Sequence, residues 1–146
     1  MKEGDKIMAS QLAGEFVMPE DQNKKLVFIA GGIGVTPFRS MIKYLLDKGE
    51  KRSITFLYSN KTAADIVYKD IFDKAGTDLG IKTVYVNTDE KGMIDAKMIM
   101  EEVPDYKERV FYISGPHGMV ISFENTLKNL GVKRGNIVTD FFPGFN

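Results

Sequence analysis

LVFIAGGIGVTPFRS, residues 26–40, passes from a short apolar run through a glycine-rich turn into the start of a helix. Leu26 to Ala30 are five apolar residues bounded by Gly31, too few for a buried helix and suited to a strand covered on both faces. Gly31, Gly32 and Gly34 allow a tight turn and let the backbone approach a ligand with no Cβ in the way. Pro37 fits the first helical position, where its fixed φ is already helical and the N–H it lacks would have been unpaired anyway. The remaining free N–H groups and the positive end of the helix dipole then face whatever lies over the turn. An anion there gains roughly 0.3–1 kcal/mol, up to about 2 when partly buried. Gly32-Ile-Gly34-Val-Thr-Pro37 carries two glycines of the dinucleotide fingerprint, with proline in the third place. A pyrophosphate is the expected guest, and a purely structural turn is the alternative.

Outward from this stretch, strand-like and helix-like runs alternate. Phe38–Lys48 has apolar residues at Phe38, Met41, Ile42, Leu45 and Leu46, which form one helical face, and Gly49 is its C-cap. A strand is predicted at Ser53–Tyr58, a helix over Asp65–Ala75 before Gly76, and a third strand at Lys82–Asn87. Asp95 caps a short helix to Glu102, Arg109–Ser114 is a fourth strand, Pro116–Asn129 a helix stopped before Gly131, and Asn136–Asp140 a fifth strand. Such alternation predicts an α/β fold, a parallel sheet with helices on both faces joined by right-handed crossovers. Ligands of such sheets bind beyond the carboxyl ends of the strands, where both Gly31–Pro37 and Ser114–Gly118 are expected to meet.

The 146 residues suffice for one domain with a sizeable core, and 43% hydrophobic with 27% charged is ordinary for a globular protein. Twenty basic and twenty acidic residues cancel without a long block of one sign, so no nucleic-acid or anionic-membrane footprint is visible. No apolar run reaches the ~20 residues of a membrane span, and Met1-Lys-Glu-Gly-Asp5 does not read as a signal peptide, so a cytoplasmic home is expected. Without cysteine there is no disulfide, thiolate zinc site or cysteine nucleophile. A single histidine, His117, argues against a His-rich metal site or a Ser-His-Asp triad.

Four segments in order, GGIGVTP at 31–37, YSNKTAADIVYKD at 58–70, YISGPHGMV at 112–120 and DFFPGF at 140–145, resemble the nicotinamide-dinucleotide domain of the ferredoxin-NADP reductase family. The resemblance covers nearly the whole chain. It implies a Rossmann-like three-layer α/β/α fold with a five-stranded parallel sheet ordered 3-2-1-4-5, spanning residues 23–146. Residues 1–22 resemble the closing strand of that family's flavin-binding barrel and the linker after it, although Asp5 to Phe16 reads equally as an ordinary β-arm. The implied function is to position NAD(P)H for hydride transfer to FAD carried by a missing or partner domain, with a ferredoxin, flavodoxin or oxygenase as acceptor beyond it. A dinucleotide sensor without a flavin half is the alternative, and a flavodoxin-like or response-regulator-like domain a weaker one.

The resemblance also assigns roles. Gly31, Gly32, Gly34, Val35, Thr36 and Pro37 fall on the pyrophosphate turn, where Thr36 either only caps the helix or also donates to the cofactor. Ser59, Asn60 and Lys61 fall on the adenosine side, and Gly115, Pro116 and Met119 on the nicotinamide side, Met119 reading equally as core. Ser114 stands where many members have a cysteine near the nicotinamide and the flavin, and Phe145 where the terminal aromatic meets the flavin ring. His117 reads as a solvent-facing first-turn residue, and Phe141 and Phe142 as packing on the last helix or as part of the flavin face. Ser59, Asn60 and Lys61 lean toward the 2′-phosphate of NADPH, although related NADH users carry a similar stretch and Met93 replaces an arginine found in many members.

Overall fold

The computed structural model describes residues 16–142, which form a five-stranded parallel sheet between two helical layers. The strands are β1 (Leu26–Gly31), β2 (Ile54–Asn60), β3 (Lys82–Asn87), β4 (Val110–Pro116) and β5 (Ile137–Phe142). The helices are α1 (Thr36–Lys48), α2 (Lys69–Leu79), α3 (Thr88–Lys91), α4 (Ala96–Glu102) and α5 (His117–Asn129). The sheet order is 3-2-1-4-5, as the resemblance implies. All pairings are parallel, and Ala30 lies beside Tyr58 on one flank and Ser114 on the other. Every residue of β1 is buried, which is what a continuous apolar run in the centre of a two-sided sheet requires.

Alternate side chains feed two cores. On one face Phe28, Phe56 and Tyr58 pack under Phe38, Ile42 and Leu45 of α1 and Phe72 of α2; the Phe28 and Phe38 rings stack at 4.6 Å. On the other, Val27, Ile29, Phe111 and Ile113 pack under Ile99 of α4 and Val120, Phe123 and Leu127 of α5. The lead-in to β1 is fastened to the first face. Phe16 packs its ring on Phe38 and Tyr112 (5.4 and 5.3 Å), the Tyr112 hydroxyl donates to the Val17 carbonyl at 2.6 Å, and Arg52 Nη1 donates to the Pro19 carbonyl at 2.7 Å.

Three local expectations change. Helical winding begins before Pro37, because Gly32–Val35 form a 3-10 turn that runs directly into α1, with Pro37 within its first two residues. The helix expected from Asp65 starts at Lys69 and runs through Gly76 to Leu79. A Thr62–Asp65 capping box closes a separate 3-10 turn first, and Tyr68, at φ 61°, then redirects the chain into α2. Its stop is Gly80, at φ 74°. β2, β4 and β5 each extend past their expected ends, to Asn60, Pro116 and Phe142, because parallel pairing with a neighbour continues there. Among the described residues no helix is long and apolar enough to cross a membrane.

Candidate functional site

At the carboxyl ends of β1, β2 and β4 lies a cleft of about 590 Å³. Its floor is the glycine turn, Gly31, Gly32 and Ile33, with Pro116 and Met119 beside it; its far end is the tip of β2, Ser59, Asn60 and Lys61. Tyr58, Asp65, Val67, Thr88 and Met93 complete the wall. The cleft sits where the sheet order reverses, between the crossover leaving β1 for β2 and the one arriving at β4.

The three glycines of the turn do different things. Gly32 adopts φ +55°, and a Cβ there would meet only open space, so glycine is required by the backbone and keeps the cleft floor bare. Gly34 is a packing residue. A Cβ on it would collide with the Ser114 carbonyl and come within 2.8 Å of the Gly115 Cα, so its absence lets the turn lie directly on β4. Gly31 and Gly115 leave room for the Met119 thioether, whose terminal methyl would lie 3.0 Å from a Cβ on either. Met119 is therefore both core filler and cleft wall.

The far wall is held by backbone chemistry. The Tyr58 hydroxyl accepts from the Val67 N–H at 3.3 Å, which ties the segment before α2 to β2. Asp65 Oδ2 accepts from both the N–H and the hydroxyl of Thr62, at 3.2 and 3.1 Å. The Lys61 carbonyl accepts from the Asp89 N–H at 3.1 Å, joining the β2 tip to α3.

Of the residues expected at the site, the cleft gathers Gly31, Gly32, Ser59, Asn60, Lys61, Pro116 and Met119. Gly34, Val35, Thr36, Pro37, Ser114 and Gly115 stand outside its lining. The Val35 side chain belongs to the core. Thr36 does not cap α1: it is already helical, at φ −55° and ψ −48°, and its hydroxyl donates to the Ile33 carbonyl at 3.3 Å. Ser114 is fully buried on the Tyr112 face of β4, and its Oγ has no hydrogen-bond partner among the described residues. His117 is half-buried rather than solvent-facing, its ring 4.6 Å from that of Phe141. Phe145 lies outside the described residues. Sequence reasoning did not name Ile33, Tyr58, Asp65, Val67 or Thr88 as site residues, and noted Met93 only as the replacement of an arginine. Ile33 falls within the 31–37 segment and Tyr58, Asp65 and Val67 within the 58–70 segment, whereas Thr88 follows β3 and carries no local signal.

Unpaired polar groups gather at this end of the sheet. Asn60 Nδ2, Asn87 Oδ1 and Ser114 Oγ are buried without partners among the described residues, and Asn60 and Asn87 are register neighbours. Asp140, the register partner of Ser114 on β5, has its carboxyl held above the ordinary range by burial. A bare glycine floor under a helical start suits a phosphate, and a wall of Ile33, Val67, Met93 and Met119 suits planar rings, so the residues fit a dinucleotide.

Known proteins agree with this geometry. The family described as oxidoreductase NAD-binding domain matches residues 28–124. A flavohemoprotein of Bacillus cereus is 31% identical over 155 aligned residues, covering 97% of this chain and 38% of the relative; an NADPH oxidoreductase of Mycobacterium tuberculosis is 26% identical, covering 90% and 35%. The chain thus spans well under half the length of these relatives. In fold it is similar to the flavohem-like FAD/NAD-binding domain of a nitric oxide dioxygenase from Vibrio cholerae (TM-score 0.75, 22% identity, 89% of this chain and 55% of that one). It is similar too to the ferredoxin-NADP+ reductase of Plasmodium falciparum (TM-score 0.67, 22% identity, 89% and 59%). With a match over well more than half of its length, the chain belongs to the oxidoreductase NAD-binding domain family.

Proposed function

We propose that this chain binds NAD(P)H in the cleft and holds it against a flavin carried by another domain or polypeptide. The observation that carries the reading is the floor of Gly31 and Gly32 opening at the strand-order reversal, inside the segment matched by the family. Bound there, the reduced nicotinamide supplies a hydride that FAD accepts. The residues of the chain supply position. The turn at Gly31–Ile33 seats the pyrophosphate, Ser59–Lys61 and Asp65 receive the adenosine half, and Pro116 and Met119 border the nicotinamide half, with Ser114 and Phe145 toward the flavin. Proximity and exclusion of water are what such a protein adds to cofactor chemistry, so no acid–base pair is needed. Residues 1–22 are assigned to the closing strand of a flavin barrel and its linker; the fastening of Phe16, Val17 and Pro19 to the sheet supports a fixed junction there. A ferredoxin, flavodoxin, haem or oxygenase partner lies beyond the flavin, and a cytoplasmic location follows from the same reading. The β2 tip offers the hydroxyl, amide and ammonium groups of Ser59, Asn60 and Lys61, and Asp65 on the same rim a carboxylate, so the choice between the dinucleotides is made at this end of the cleft.

Titration of the purified chain with NADH and NADPH, followed by calorimetry, tests the proposal. Saturable binding of at least one dinucleotide is expected, weakened at least tenfold by Gly32→Val, which is about 1.4 kcal/mol. Absence of saturable binding of either overturns it.

A further inference from the structure

We infer that Asp65 is the specificity-determining residue of the adenosine end, and that it selects the unphosphorylated ribose of NADH over the 2′-phosphate of NADPH. The inference rests on the dinucleotide reading above. The cleft wall at the β2 tip contains one acidic and one basic side chain among the described residues, Asp65 and Lys61. Both side chains are exposed, and that of Lys61 rides on a flexible four-carbon stem. Asp65 is held. Its Oδ2 takes two hydrogen bonds from Thr62, which pin that oxygen, and the 3-10 turn of Ala63–Asp65 fixes its backbone. Both bonds fall on the same oxygen, so Oδ1 is without a hydrogen bond among the described residues.

A carboxylate oxygen is an acceptor only. It suits a ribose bearing two hydroxyl donors, whereas a 2′-phosphate brings negative charge to negative charge and no donor. Asp89 and Glu90, in the first turn of α3 just beyond Thr88, add acidic character to this end. Their sign reinforces the choice made by Asp65. Helix capping alone would explain the Thr62–Asp65 bonds, but it does not require Asp65 to line the cleft, and Asp65 does.

The test compares NADH with NADPH, and ADP-ribose with 2′-phospho-ADP-ribose, on the unaltered chain, Asp65→Asn and Lys61→Ala. Asn at 65 keeps an acceptor for Thr62 and removes the charge, so the turn survives, as unchanged thermal unfolding would verify. The unaltered chain is expected to bind the unphosphorylated member of each pair at least tenfold more tightly. Asp65→Asn is expected to narrow that ratio at least fivefold, chiefly by tightening the phosphorylated ligand, and Lys61→Ala to move it less than threefold. Tighter NADPH binding by the unaltered chain, a ratio untouched by Asp65→Asn, or a tenfold loss of NADPH on Lys61→Ala would each overturn the inference while leaving dinucleotide binding intact. Failure of every ligand to bind overturns it together with the proposed function.

Discussion

The two ends of this one sheet treat polar side chains differently. At the amino ends of the strands most are paired, Thr83 Oγ1 on β3 being the one buried there without a partner among the described residues. Arg109 donates from Nε to Asp105 at 2.9 Å, from Nη1 to the Leu26 carbonyl at 2.9 Å and from Nη2 to the Ser53 hydroxyl at 3.2 Å. Arg52 bonds Glu50 and Pro19 there, and Lys25 reaches Asp105. At the carboxyl ends, Asn60, Asn87 and Ser114 are buried without partners among the described residues. Even the carboxylates diverge. Burial alone would raise Asp105, but bonds from Arg109 and Lys25 bring it below the ordinary value, whereas Asp140 has burial without such bonds among the described residues and is raised. An unpaired buried polar group costs roughly 1–3 kcal/mol. One end of the sheet is cross-linked by charged hydrogen bonds, and the other carries most of the buried polar atoms left without partners among the described residues.

The largest expected effect comes from the turn that joins the ligand end to the core. Gly34→Ala sets a Cβ against the Ser114–Gly115 backbone, which has no flexible end to swing aside, and should cost about 3 kcal/mol or more. Gly32→Ala meets open space and costs only its left-handed backbone, about 1–2 kcal/mol. Denaturant titration of both variants checks the order; equal losses would mean that Gly34 does not pack as described.

Arg109→Met and Asn60→Ala then test the two ends directly. Removing Arg109 leaves Asp105 and the Leu26 carbonyl without their donor and should cost about 2–4 kcal/mol, with dinucleotide affinity unchanged. Removing the unpartnered Asn60 amide should alter stability by less than about 1 kcal/mol, yet weaken dinucleotide binding at least threefold. A swap of these outcomes would erase the distinction between the two ends.

The smallest effects are in pH dependence. Asp105 has a lowered folded pKa, so its contribution is present above the ordinary carboxylate range and is lost as pH falls through the lowered value. Asp140 is raised, so its ionisation opposes folding as pH rises through its folded value, and the protonated form is the one the fold prefers. Asp105→Asn should therefore lower Tm at neutral pH and Asp140→Asn should raise it, both differences shrinking in acid. Melting curves at neutral and acidic pH decide this; shifts of the same sign would contradict the pairing described.

Much of this was legible in the linear sequence, because the relevant physics is local. The apolar run of Leu26–Ala30, the helical spacing of Phe38 to Leu45, the capping Asp95 and the left-handed Gly49 each act within a few residues, and their alternation leads to a parallel α/β sheet. The glycine turn was legible for the same reason, since an apolar strand, adjacent glycines and a helix-starting proline are neighbours in the chain. Where local signals competed, tertiary structure decided. Asp65 through Ala75 has helical spacing, yet a capping box and the Tyr58–Val67 bond hold its first turn away from α2 and place it on the cleft. Gly32 is required by its left-handed backbone, whereas Gly34 is required by the β4 backbone lying against it, a contact across some 80 residues of chain. Thr88 and Met93 reach the site because β3 pairs with β2, and Asp105 and Asp140 part ways because one faces an arginine and the other does not. Periodicity and backbone preference are written in neighbouring residues; close approach, burial and charge pairing are set by residues distant in sequence, and these separate the structural glycine from the exposed one and the paired carboxylate from the unpaired.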